Sequence, residues 1–119
     1  MTDDLPILDP AGLQRLSDMT GGDAAFVDEL VATFLEDAVG QLASMSVAAT
    51  AGSAADMVLP AHSLKSNSAN VGAMRLSELA RALEADARSG SLPDAEARVA
   101  IAGAELEAVR ALLAARGAG

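Results

Sequence analysis

His62 is the only histidine in the 119 residues, and the chain holds no cysteine. A single imidazole excludes histidine-pair metal motifs such as H-E-x-x-H and any catalytic scheme built on two histidines. The lack of cysteine removes disulfide frameworks, thiolate metal sites and thiol nucleophiles. The phosphate-loop pattern G-x-x-x-x-G-K-[ST] does not occur, and no glycine-rich strand-to-helix turn is present to cradle a nucleotide. What remains is one nucleophilic nitrogen, with Lys65 three residues further on.

The setting of that nitrogen follows from helical spacing. At about 100° per residue, Met57, Ala61, Leu64, Ser68 and Val71 fall within about 40° of one direction and form an inward face. On the same wheel His62 lies about 140° from the centre of that face, Lys65 about 80°, Ser66 about 180° and Ala69 about 120°. The imidazole is therefore expected to project to solvent. Lys65 places a cation where an added phosphoryl group would sit and disfavours a positive charge on the ring, which leaves a neutral, nucleophilic imidazole. Ser66 and Ala69 are short enough to admit a second protein, and Leu59 offers it apolar contact, so these three are the candidate docking residues. A lone histidine on an amphipathic helix is most often an idle surface residue, and spacing by itself does not assign it chemistry.

The elements that must position these groups can be read from caps and periodicity. Asp9 before Pro10, with Gly21 and Gly22 behind, predicts a short helix over about residues 10–19. Asp23 caps a long helix, about 24–50, whose apolar stripe is Phe26, Val27, Leu30, Val31, Phe34, Leu35, Leu42 and Met45. Ser53 and Asp56 have capping-box spacing for a third helix over about 54–71, closed by Gly72. Pro60 lies inside it and predicts a bend or irregularity just before His62; a later start at Pro60 itself is the alternative. A fourth helix, about 74–89, carries Leu76, Leu79, Ala80, Leu83 and Ala87 inward and pairs Glu84 with Arg88 on its other face. Ser91, Pro93 and Asp94 open a fifth over about 92–116, with the stripe Ala95, Val99, Ala102, Leu106, Val109 and Leu113 and a fraying tail from Arg116. Short turns between long helices imply antiparallel neighbours. The expected fold is all-α, an antiparallel up-down four-helix bundle with a short extra N-terminal helix, and residues 1–119 form one domain.

Composition agrees with that class and narrows the partners. Hydrophobic residues make up 51% of the chain, with two Phe and neither Trp nor Tyr, which predicts one core of aliphatic side chains and closely approaching alanines. Seventeen acidic residues against eight basic give a net charge of −9, the wrong sign for a nucleic-acid binder. The acidic N-terminus does not read as a secretory signal, and no apolar run reaches the length of about 20 residues that spans a bilayer. A cytoplasmic monomer that uses neither membrane nor nucleic acid is expected.

The run Ala61-His62-Ser63-Leu64-Lys65-Ser66-Asn67-Ser68-Ala69-Asn70-Val71-Gly72-Ala73 resembles the histidine phosphotransfer (HPt) signature, roughly A-H-x-L-K-[GS]-x-[SA]-x-x-[LVI]-G-[AL]. Leu76 to Leu79, Leu83 to Gly90, and Phe26 to Leu30 with Phe34 and Leu35 also resemble that family, so the likeness covers about residues 8–115. Ser66 stands where many members carry Gly, and Pro60 is unusual so close before the histidine. The resemblance implies a four-helix bundle in which His62 is phosphorylated, Lys65 is the cation near the phosphoryl oxygens, and Leu64 anchors the helix in the core. It implies a phosphocarrier that accepts the group from a receiver-domain aspartyl phosphate and passes it to another receiver, without an ATP-dependent kinase activity of its own. Partners would be receivers of response regulators or hybrid histidine kinases. No metal or other cofactor is expected on this chain, Mg2+ being held by the receiver.

Two other readings compete. A helical adaptor would bind a receiver or other signalling protein through the exposed face around His62, Leu59 and Ala69 without being phosphorylated. The dimerising phosphotransfer domain of a sensor kinase would need a paired hairpin and an adjoining ATP domain. The inward face can be checked directly: Leu64→Asp should unfold or loosen the bundle by placing a charge in its core, and a thermal melt equal to the wild type's would show that the face is misplaced.

Overall fold

The computed structural model describes residues 4–118; residues 1–3, on which the reading of the N-terminus partly rests, and Gly119 lie outside them. The described residues form five helices and no strand: α1 (Pro10–Met19), α2 (Ala24–Ala51), α3 (Ala54–Asn70), α4 (Met74–Arg88) and α5 (Ala95–Ala118). Polar caps start the first three. Asp9 accepts the Ala11 amide at 3.0 Å, Asp23 the Phe26 amide at 3.1 Å, and Ser53 the Asp56 amide at 3.2 Å, each giving a partner to an N–H that the helix itself leaves free. α2 stops where Gly52 takes a left-handed φ of 65°, a conformation open to glycine at little cost.

The fifth helix begins later than the expected residue 92. Asp94 has φ 53°, which a right-handed helix cannot contain, so the turn after α4 continues through Pro93 and Asp94. The Asp94 carbonyl then accepts the Arg98 amide at 2.9 Å and opens α5. Arg98 also binds Asp86 at 2.8 Å and the Pro93 carbonyl at 3.1 Å, which ties this turn to the end of α4. α3, by contrast, starts at Ala54 and runs unbroken through Pro60. The ring costs the helix only the bond that an amide at this position would make to the Asp56 carbonyl.

One core lies between α2, α3, α4 and α5. It contains Val27, Val31, Phe34, Ala38 and Met45 of α2, Met57, Ala61 and Leu64 of α3, Leu76, Ala80 and Leu83 of α4, and Val99, Ala102, Leu106, Val109 and Leu113 of α5. The inward faces read from α3 and α5 are all buried. On α2 the stripe is narrower than expected: Phe26, in the first turn, is 47% exposed, and the inward line passes through Val27, Val31, Phe34 and Ala38. α3 packs against both α2 and α4, and α5 against α2 and α4.

α1 docks on α2 and α3 with Leu13 and Leu16 against the core and with a close backbone contact beside them. The Asp9 amide donates to the Gly72 carbonyl at 2.7 Å, and the Arg75 amide to that of Pro6 at 3.3 Å. Gly12 lies directly on Gly72, where a Cβ on Gly12 would stand 2.5 Å from the Gly72 Cα and nitrogen. Only two glycines permit that approach. Gly12→Ala should therefore destabilise the protein by about 1–3 kcal/mol, the usual cost of overpacking, as measured by urea unfolding; unchanged stability would show that α1 does not dock in this way.

Candidate functional site

α3 and α4 build the site between them. The Ser77 hydroxyl donates to the Lys65 carbonyl at 2.9 Å and pins α4 against α3 at that level. Two turns along the same face of α4, Glu84 stands opposite His62. It is 5% exposed, yet its carboxylate takes donors from three side chains. Oε2 accepts from His62 Nδ1 at 2.8 Å and from Arg88 at 2.9 Å through Nε and 2.7 Å through Nη2. Oε1 accepts from Lys65 Nζ at 2.8 Å.

Burial by itself pushes the Glu84 carboxyl up, but the hydrogen bonds from Lys65, Arg88 and His62 outweigh it and hold the group at about 2, below its ordinary 4.5. An ionised carboxylate can only accept. The hydrogen in the 2.8 Å contact therefore belongs to Nδ1, and in the neutral ring the lone pair lies on Nε2. The His62 side chain is 48% exposed, so that nitrogen is both the nucleophilic one and the one a second molecule can meet.

Sequence spacing assigned the charge beside the ring to the wrong residue. Lys65 was expected to face the imidazole and disfavour its positive charge, and Glu84 to sit with Arg88 on the outer face of α4. Instead Glu84 is buried between the helices and takes both Lys65 and Arg88, so the nearest charge on the ring is negative. On a wheel Glu84 lies about 70° from the centre of the Leu76, Ala80, Leu83 and Ala87 stripe, at the margin where two helices meet. That marginal angle, with His62 and Lys65 on the facing helix, was the available signal.

The remaining sequence-derived residues fall on one side of α3. Leu59 is 73% exposed, Ser66 is exposed and Ala69 half-buried; with His62 they form a stripe of three- and four-residue steps along the helix. Lys65 is half-buried against Glu84. Beside Leu59 and Pro60 an open groove between α2 and α3 is lined by Glu36, Asp37, Gly40, Gln41 and Asp56. Among the described residues no group of acidic and histidine side chains could hold a metal ion, and no helix is long and apolar enough to cross a membrane.

Known proteins resemble this chain over most of its length. A model of the Hpt domain family matches residues 29–115. The crystal structure of histidine-containing phosphotransfer protein B from Pseudomonas aeruginosa PAO1 superposes with a TM-score of 0.85 at 32% identity, covering 93% of this chain and 94% of that one. None of the curated proteins compared with the chain matches it.

The carboxylate cluster has a pH signature. Because the folded protein holds Glu84 below its unfolded value, the cluster stabilises the fold above about pH 4.5 and loses that contribution as the pH falls toward about 2. Glu84→Gln should lower stability near neutral pH by about 1–3 kcal/mol and flatten the acid loss between those two values. Urea unfolding across the range measures both, and parallel curves for variant and wild type would mean that the cluster does not form.

Proposed function

The chain belongs to the Hpt domain family, and on that premise we propose that His62 is the residue that carries the phosphoryl group. The protein is a histidine phosphocarrier of a phosphorelay, and its partners are receiver domains. The observation that carries the assignment to His62 is the fixed tautomer: Glu84 holds the Nδ1 hydrogen, and Nε2 presents its lone pair on an exposed face.

The reaction follows from that geometry. Nε2 attacks the phosphorus of a receiver aspartyl phosphate, the N–P bond forms as the P–O bond breaks, and the aspartate leaves as a carboxylate. Lys65 turns from Glu84 to the phosphoryl oxygens, where a cation offsets the added charge. Leu59, Ser66 and Ala69 seat the receiver, and the groove beside Leu59 extends that surface toward α2. The chain binds no cofactor for this step, since the receiver brings Mg2+, and it has no ATP-dependent kinase activity of its own. The finer architecture fits the role: four long helices running up and down hold α3 rigid along its length, and α1 caps one end. We infer a single domain over residues 1–119, acting as a monomer in the cytoplasm without nucleic-acid or membrane partners.

Incubation with phosphorylated receivers from the same genome should place an acid-labile, alkali-stable phosphate on the wild type and none on His62→Gln. Phosphate persisting at full level in that variant would overturn the assignment, and a wild type that binds receivers but takes no phosphate would leave the adaptor reading.

A further inference from the structure

We propose that the groove between α2 and α3 beside His62 takes a lysine or arginine side chain of the docking receiver, and that this pairing selects which receivers the chain serves. The proposal rests on receivers reaching His62, and it concerns what they must carry to do so. On α3, Leu59 lies about 60° round the helix from His62, on the side away from Lys65, and Asp56 about 120°. Leu59 is 73% exposed and lines the groove together with Asp37, Gly40, Gln41 and Asp56. A partner seated over the imidazole and Leu59 therefore overhangs the groove, which continues the docking stripe toward α2. Gly40 keeps it open, since a Cβ at that position would meet nothing within 4 Å.

The lining of the groove has acceptors in excess. Asp37 and Asp56 are exposed, and among the described residues neither forms an ion pair with a lysine or arginine, while Lys65 and Arg88 are held by Glu84 on the α4 side. The side-chain oxygen of Gln41 is shielded from water and has no donor, an unmade bond that costs free energy. Carboxylates only accept, whereas an ammonium or guanidinium only donates and carries the opposite charge. A cationic side chain thus supplies both things the groove lacks. Glu36 lines it too, but that residue stands on a shoulder of α2 shared with Arg110, so the pairing is assigned to Asp37 and Asp56. The net charge of −9 sharpens the choice. A receiver with an acidic surface at this point meets like charge beside its apolar contact and is turned away, and one with a cation there is drawn in.

The test uses the full chain and, as donor, the phosphorylated receiver of the same genome that loads the wild type fastest. Asp37→Asn combined with Asp56→Asn removes two charges from the groove and keeps its shape. Glu29→Gln combined with Glu96→Gln removes two exposed charges outside it. The expected result is transfer about tenfold slower to the groove variant at about 50 mM salt, a loss that shrinks as the salt rises to about 0.5 M, and a smaller loss in the outside pair. Equal losses in the two pairs would overturn the proposal in favour of overall charge, and so would a groove variant loaded at the wild-type rate. Gly40→Arg gives a second measurement, because an arginine one turn after Glu36 and Asp37 supplies the cation from within. It should slow the same receiver by about tenfold or more, and an undiminished rate would overturn the proposal. Each variant is also loaded with phosphoramidate, a small N–P donor that needs no partner protein. A loading loss as large as the transfer loss would place the defect at His62 and overturn the inference. A wild type that takes no phosphate from any receiver would overturn it together with the reading beneath it, whereas transfer indifferent to the groove charges removes the inference only.

Discussion

A single carboxylate, placed where two helices meet, organises the reactive end of this protein. Burying an acidic group is costly unless donors surround it, and Glu84 has donors from His62 and Lys65 on α3 and from Arg88 on its own helix. The same contacts that make the burial tolerable select a tautomer of the imidazole and join α3 to α4. Fold and chemistry are therefore not separable here. The packing of α4 puts the carboxylate in place, the carboxylate orients the ring, and the ring faces solvent because α3 turns Met57, Ala61 and Leu64 the other way.

Much of this was legible from residue types and spacing. The starts of the first three helices follow from Asp9, Asp23 and Ser53, and the inward face of α3 follows from Met57, Ala61, Leu64, Ser68 and Val71. The exposure of His62 follows from the same wheel. What the sequence could not supply was the relation between helices. Glu84 looks like half of an ordinary helix-surface pair with Arg88, since both partners lie on one helix and their spacing suits that reading. Its second and third donors lie about twenty residues away in sequence, and only the seating of α4 on α3, fixed in part by the Ser77 hydroxyl on the Lys65 carbonyl, brings them in. The start of α5 was misplaced for a related reason. Ser91 and Asp94 have the spacing of a capping box, but the left-handed backbone at Asp94 delays the helix by three residues, and no pattern of side-chain types encodes that angle.

Pro60 and the Gly12 and Gly72 pair show two ways in which local rules yield to context. A proline within a helix removes one hydrogen bond, yet α3 passes through it because the core residues on either side, Met57 and Ala61, are both fully buried and hold the two halves in register. At the other end of α3, close approach of two glycines brings backbone against backbone, so that hydrogen bonds and the absence of Cβ atoms add to the packing of Leu13 and Leu16 in seating α1.

The core between the long helices is filled largely by alanine, valine and leucine, with Ala38, Ala61, Ala73, Ala80 and Ala102 fully enclosed. Methyl groups let backbones come close and have no rotamers with which to adjust. The face bearing His62 is thus mounted on a scaffold with little capacity to reshape itself around a visitor. In an encounter on this face, the adaptation, and the loss of conformational entropy that accompanies it, therefore falls mainly on the partner.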